Sequence, residues 1–227
     1  MLSIIEIYRS IQGESSFAGM PCTFVRLAGC NLRCTWCDSE YTFTGGKKME
    51  TDEVFAEVQR LSPDGLVEIT GGEPMLQERQ LVPFMERLLD SGYQVLIETS
   101  GERPLANVPK SVHKIVDVKC PDSGEGDTFR LENLAALTKA DEVKFVIASP
   151  RDYDFARDFT REHGLEEKVN SVIFSPAFRK DATGARDASH CLISPSEVAD
   201  LIVQHHLNVR LGLQIHKFIW DPATKGV

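Results

Sequence analysis

The segment Ala28-Gly-Cys-Asn-Leu-Arg-Cys-Thr-Trp-Cys-Asp-Ser39 carries Cys30, Cys34 and Cys37 at the spacing C-x3-C-x2-C. A segment this short cannot easily bury all three thiols as ordinary core residues. A loop does let them converge on a metal, for which thiolates are strong soft ligands. In a cubane iron–sulfur cluster, three cysteines leave one of the four irons without a protein ligand and open to a substrate or cofactor. Zinc needs a fourth ligand from elsewhere, with Cys120 or Cys191 as candidates, and zinc-binding pairs usually sit at C-x2-C. The triplet alone therefore indicates a metal site and leaves the metal undecided.

Outward from this segment, apolar strands alternate with amphipathic helices. Ile4–Ile11 and Thr23–Ala28 read as strands, the second running into the cysteine loop, and Thr44–Lys48 reads as a turn. Thr51 is expected to cap a helix marked by Val54, Phe55, Val58 and Leu61, with Asp52 and Glu53 complementing its dipole. Leu66–Thr70 is a strand ending at Gly71-Gly72-Glu73-Pro74. Leu81, Phe84, Met85, Leu88 and Leu89 mark the next helix, which stops near Gly92. Strands follow at Tyr93–Thr99, Lys114–Lys119, Glu142–Ile147, Ser171–Phe174 and Asn208–Gln214. Helices are expected around Leu131–Leu137, over Asp152–Gly164 and after Ser194, where Pro195 and Glu197 suggest a capping box. Apolar strands joined by helices predict an α/β fold with a mostly parallel sheet buried on both faces. No linker or repeat interrupts it, so residues 1–227 are expected to form one domain. Ligands in such folds bind beyond the carboxyl ends of the strands. The polar signals fall there: the cysteine loop, Thr70-Gly-Gly-Glu, Glu98-Thr-Ser-Gly, Asp117 and Lys119, and Ser175-Pro176.

A net charge of −9 argues against nonspecific binding of nucleic acid or acidic membranes, while leaving room for an anionic small molecule. Glu6 and Arg9 interrupt the amino-terminal apolar run too early for a signal peptide, and no stretch is long enough to span a membrane. With the tight triplet, this points to a reducing cytoplasm rather than a disulfide framework. Cys22, Cys120 and Cys191 otherwise read as buried thiols.

A glycine pair after a strand is usually a turn. Here Gly71-Gly72-Glu73-Pro74 shares a sheet edge with the cysteine loop, and together the two motifs resemble the radical S-adenosylmethionine superfamily. The resemblance implies an incomplete βα barrel and a [4Fe-4S] cluster whose open iron chelates the amino and carboxylate groups of S-adenosylmethionine. It also implies that the Gly-Gly-Glu-Pro stretch meets the amino group and that Trp36 packs near the adenine. Within the superfamily, four stretches are similar to 7-carboxy-7-deazaguanine synthases: Ile11-Gln-Gly-Glu14, Phe24-Val-Arg-Leu-Ala-Gly-Cys30, Cys37-Asp-Ser39 and Gln214-Ile-His-Lys-Phe218. This second resemblance covers nearly the whole chain. It implies that Ile11, Gln12, Gly13, Arg26 and Thr70 contact 6-carboxy-tetrahydropterin, with Arg26 on its carboxylate. Gly72, Ser100, Asp117, Val118, Lys119, Ser175, Pro176 and Ala177 would line the S-adenosylmethionine site, and Ser39 would hold Mg2+.

Taken alone, these residues have plainer readings. Arg26 could pair with a surface acid, Asp117 and Lys119 could form a salt bridge, and His216 and Lys217 could be a packed histidine and a solvated lysine. The segment Trp220–Val227 extends past the point where some relatives stop, so contacts of a relative's terminal carboxylate are not carried over.

By resemblance, the activity is that of a carbon–nitrogen lyase on the route to queuosine, a tRNA modification, and other deazapurines. A 5′-deoxyadenosyl radical abstracts hydrogen from carbon 6 of the pterin, the ring contracts, and ammonia leaves. A flavodoxin- or ferredoxin-type donor and a homodimer are implied too. Two alternatives compete: an activating enzyme for a glycyl-radical protein, which leaves Gln12, Gly13 and Arg26 unexplained, and a noncatalytic metal-binding interaction module, which leaves Gly71–Pro74 unexplained.

Overall fold

The computed structural model describes residues 1–227. Nine strands form one sheet: β1 (Leu2–Ile11), β2 (Pro21–Leu27), β3 (Lys47–Met49), β4 (Leu66–Gly71), β5 (Gln94–Thr99), β6 (His113–Asp117), β7 (Glu142–Ile147), β8 (Ser171–Pro176) and β9 (Arg210–Leu211). Their order is β3-β1-β2-β4-β5-β6-β7-β8-β9. From β2 to β9 every pairing is parallel, whereas β1 is antiparallel to both β2 and β3. The sheet does not close, which matches the expected incomplete barrel. Six helices accompany it: α1 (Thr51–Leu61), α2 (Glu78–Asp90), α3 (Pro150–Glu162), α4 (Leu165–Lys168), α5 (Pro195–Gln204) and α6 (His216–Ile219). No helix is long and apolar enough to cross a membrane.

Alternation along the strands separates two faces. On the outer face, Val67, Ile69, Val95, Ile97, Val116, Val143, Phe145, Val172 and Phe174 join Val54, Phe84, Leu88, Tyr153 and Val198 from the helices in the main core. The inner face holds a smaller apolar plug of Cys22, Phe24, Leu66, Leu96 and Ile115 near the strands' amino ends, with Tyr8 and Phe17 packed on it. Above the plug the same inner positions become Arg26, Glu68, Glu98 and Lys144. The apolar floor thus gives way to a charged chamber within one or two residues of each strand.

Several local expectations change. Lys47–Met49 is a short edge strand on β1 rather than part of a turn, its lysines exposed as is common at sheet edges. Glu50, not Thr51, caps α1, and the Glu53 carboxylate accepts from the Glu50 N–H at 2.8 Å. Leu131–Ala136 is a 3-10 turn. It is anchored by Asn133, whose amide donates to the carbonyls of Gly101 and Arg103 and accepts from the Leu105 N–H. Ser194 caps α5 through the Ser196 N–H at 3.2 Å, and Glu197 makes no return bond. The last strand keeps only Arg210–Leu211. Beyond Gly212 the chain leaves the sheet to reach the loop after β1, where the Ile215 N–H donates to the Gly13 carbonyl at 3.0 Å. That crossing bridges the open side between the first and last strands.

Candidate functional site

At the carboxyl ends of β2, β4, β5 and β6 lies a cavity of about 390 Å³. Cys30, Cys34 and Cys37 face it from the loop after β2. The loop is held in place by backbone bonds: Gly29 N–H to Thr42 O at 2.7 Å, Glu73 N–H to Gly29 O at 2.8 Å and Thr35 N–H to Ser123 O at 3.0 Å. Gly29 adopts φ 98°, which a glycine tolerates without strain. A Cβ on Gly72 would collide with the Gly29 carbonyl and the Cys30 Cβ, so the glycine lets β4 approach the cysteine loop directly. Burial pushes the Cys30 and Cys34 thiols up, Cys34 to about 11, despite the opposing pull of Lys119. Holding them as thiolates therefore calls for metal coordination. Each thiolate of a cubane binds a different iron, and three thiols around one cavity, with a glycine cradle beside them, fit such a cluster. Cys120 lies in the main core and Cys191 does not line the cavity, so neither completes a zinc set with the triplet.

Glu73 is fully buried and points away from the cavity. Its carboxylate accepts from Met75 N at 2.9 Å, Thr99 Oγ1 at 2.8 Å, Ser100 N at 2.9 Å and Ser100 Oγ at 2.6 Å. Those bonds lock the turn after β4 to the end of β5 and fix Ser100 at the rim. Asp117 receives the Lys119 ammonium on Oδ2 at 2.6 Å, while its buried Oδ1 has no partner. That orphaned oxygen, in a cavity beside the thiols, suits a ligand bearing donors.

Deeper in, the loop Gln12–Met20 crosses the barrel. Gln12 Oε1 accepts from Glu14 N at 2.9 Å and Ser15 N at 3.0 Å, and its Nε2 donates to Glu68 Oε2 at 3.1 Å. Lys144 is buried and donates to Glu14 Oε2 at 2.9 Å and to Glu98. Gln214 Nε2 donates to Glu14 Oε1 at 2.9 Å. Burial alone would raise the Glu14 pKa, but Lys144, His216 and Lys217 outweigh it and hold the carboxyl well below its usual range. Glu68 has no such partner: burial, then Glu98, pushes it up to about 8. At the wall, Arg26 Nε donates to Glu6 Oε1 at 2.8 Å and an Nη to the Tyr8 hydroxyl at 2.8 Å, while the Tyr41 hydroxyl donates to the same Glu6 oxygen at 2.9 Å. Arg26 therefore does pair with an acid, but in the cavity wall and with the rest of its fork left over.

Of the residues singled out from the sequence, Ile11, Gln12, Gly13, Arg26, Trp36, Ser39, Thr70, Gly72, Ser100, Asp117 and Lys119 line the cavity with the three cysteines. Val118, Ser175, Pro176 and Ala177 do not; Val118 packs into the main core and the other three are buried at the end of β8. Lys217 is buried rather than solvated, its Nζ 2.6 Å from Asp38 Oδ2, which ties the cysteine loop to α6. Sequence reading placed Glu98 at the ligand-binding strand ends without giving it a role, and it missed Glu68 and Lys144 as cavity residues. Their signal was a charge inside an otherwise apolar strand. Residues Pro222–Val227 also line the cavity, with Lys225 Nζ 4.2 Å from the Tyr41 ring centre.

The family model described as the Radical SAM superfamily matches residues 25–121. Along its whole length the chain is 73% identical to a 7-carboxy-7-deazaguanine synthase of Koribacter versatilis, covering 100% of both proteins. It is 40% identical to the synthase of Chlorobaculum tepidum, covering 100% of this chain and 97% of that one. Among solved structures, QueE from Escherichia coli superposes with a TM-score of 0.69 at 24% identity, over 93% of each chain, which indicates a common fold.

Proposed function

Because the chain belongs to the 7-carboxy-7-deazaguanine synthases of the radical S-adenosylmethionine superfamily, we propose that the cavity at the strands' carboxyl ends divides into a cluster end, a cofactor rim and a pterin chamber. The enzyme converts 6-carboxy-5,6,7,8-tetrahydropterin to 7-carboxy-7-deazaguanine with loss of ammonia. The activating-enzyme and metal-module alternatives fall with that membership. Cys30, Cys34 and Cys37 hold the [4Fe-4S] cluster. Gly72, Ser100, Asp117 and Lys119, with Trp36, receive S-adenosylmethionine, and the backbone of Val118, Ser175, Pro176 and Ala177 supports that rim. Cluster and S-adenosylmethionine together supply the electron and the hydrogen-abstracting chemistry.

The chain's own residues bind, orient and exclude water. Arg26 presents the free part of its fork to the substrate carboxylate, a geometry suited to guanidinium. Glu6, Tyr8 and Tyr41 keep that fork from swinging. Ile11, Gln12, Gly13 and Thr70 border the ring. Ser39 Oγ, a hard oxygen donor beside the cluster loop, suits Mg2+, which keeps most of its shell as water and substrate oxygen. The observation that carries this reading is that thiols, glycine cradle and half-used arginine fork line a single cavity.

The sheet running from Leu2 to Leu211 supports one radical S-adenosylmethionine domain over residues 1–227. Unpaired thiols and an oxygen-sensitive cluster support a reducing cytoplasm, with a flavodoxin- or ferredoxin-type donor. A homodimer is proposed from family likeness. Anaerobic incubation of the reconstituted enzyme with S-adenosylmethionine, the carboxy-pterin, Mg2+ and reductant tests the assignment. The deazaguanine mass and released ammonia are expected. Cys34→Ala should lose both the visible iron–sulfur absorption and turnover, and full turnover in that variant would sink the reading.

A further inference from the structure

Three carboxyl groups, Glu14, Glu68 and Glu98, face the pterin chamber, and a single ammonium, Lys144, lies among them. Lys144 is spent on Glu14 and Glu98. Glu14 also receives Gln214. Glu68 is only 2% exposed and has one partner, the Gln12 amide on Oε2; its Oε1 has none. It lines the cavity from the middle of β4, in register with Phe24 on β2 and Leu96 on β5, so it rises directly from the apolar plug.

A carboxyl in such a place is costly unless something completes it. Gln12 cannot do more, because its carbonyl oxygen is committed to the N–H groups of Glu14 and Ser15, which fixes the way its amide points. Gln12 therefore aims Glu68 rather than neutralising it. What is missing is a pair of adjacent donors from the cavity side.

We propose that Glu68 is a specificity-determining residue that accepts the ring N–H and exocyclic amino donors of the substrate's 2-amino-4-oxopyrimidine half. This rests on the pterin reading above and adds an orientation to it. The amino-pyrimidine end lies on the floor at Glu68, and the carboxylate lies higher in the cavity against Arg26, two residues further along the neighbouring strand β2. Glu68 offers an acceptor with no ion-pair partner and Arg26 a partly free guanidinium, and the substrate's donor-rich ring and its carboxylate match the two. Two adjacent N–H donors on a planar ring form the same two-pronged contact with a carboxylate that guanidinium does. A site built to receive such donors rejects an analogue lacking one, because a buried acceptor is then left unpaired.

The test uses two unreactive probes, 6-carboxypterin and its 2-oxo counterpart 6-carboxylumazine, titrated by fluorescence against the anaerobically reconstituted enzyme at pH 8. Wild type should bind the amino probe at least tenfold more tightly than the oxo probe. In Glu68→Gln the ratio should fall below threefold, with S-adenosylmethionine affinity within twofold of wild type. Glu68→Asp, which keeps the charge on a shorter arm, should lie between. An unchanged ratio in Glu68→Gln overturns the proposal while leaving the pterin reading intact. If wild type binds neither probe, both fail together. If neither variant gives a cooperative melt, Glu68 serves the fold rather than the ligand, and the proposal is overturned on that ground.

Discussion

Replacing Glu68 with glutamine should stabilise the ligand-free enzyme, and the gain should grow with pH. The folded protein holds this carboxyl at about 8 against an ordinary 4.5, through burial first and Glu98 second. A carboxyl raised on folding binds more protons in the native state than in the unfolded chain. Its stability contribution is therefore lost as pH rises from about 4.5 towards 8 and is flat beyond. At about 1.4 kcal/mol per pH unit, the ceiling of that loss is about 5 kcal/mol. Side-chain relaxation and water entry reduce such penalties, so about 1–3 kcal/mol is expected at pH 8. Glutamine keeps the shape, still accepts from Gln12 and does not ionise. For a chain of this size a kcal/mol moves the melting temperature by roughly 2–4 °C. Glu68→Gln should thus melt within about 1 °C of wild type at pH 4.5 and roughly 2–12 °C above it at pH 8. Calorimetry at pH 4.5, 6, 7 and 8 on the reconstituted protein without substrate measures the gap. A difference that stays constant with pH, or shrinks, would refute the claim that Glu68 carries an uncompensated buried charge. Together with the loss of probe discrimination, a stabilised variant would mark a residue kept for binding at the expense of the fold.

The other predictions concern the neighbours of that carboxyl and the approach of the cluster loop. Lys144→Met leaves Glu14 and Glu98 without their cation and should cost about 3–5 kcal/mol in urea denaturation; adding Glu98→Gln should recover part of it, and simple additivity would show that the three groups are not coupled. Arg26→Lys keeps the charge but loses the planar fork, so KM for the carboxy-pterin should rise at least tenfold while S-adenosylmethionine affinity holds; an unchanged KM would remove Arg26 from the carboxylate. Gly72→Ala drives a methyl group into Gly29 and Cys30, and iron per chain after reconstitution should fall several-fold; full iron content would mean the loop can give way.

Much of the molecule was legible in the sequence because its signals are local. The spacing of Cys30, Cys34 and Cys37 fits one loop around one metal centre wherever that loop sits. Apolar strands separated by amphipathic helices require a sheet covered on both faces, and Gly71-Gly72 after a strand marks close backbone approach. Local expectations broke down where long-range contacts decide. The strand over Asn208–Gln214 shrank because the chain must turn to meet Gly13, and Lys217 left solvent because Asp38 waits for it across the fold.

The pairing of charges inside the chamber lies in that second class. A glutamate or lysine inside an apolar strand alternates between faces, but period two does not say which face is inner, nor which charge will meet which. Sequence by itself determined the close-set thiol triplet, the α/β pattern and the polar motifs at the carboxyl ends of the strands. Only the tertiary structure brought Lys144 to Glu14 and Glu98, turned Gln12 towards Glu68, and left that carboxyl without a cation. The physical reason is that charge pairing in a buried site depends on distances of a few ångströms between strands far apart in the chain, and no local preference encodes them.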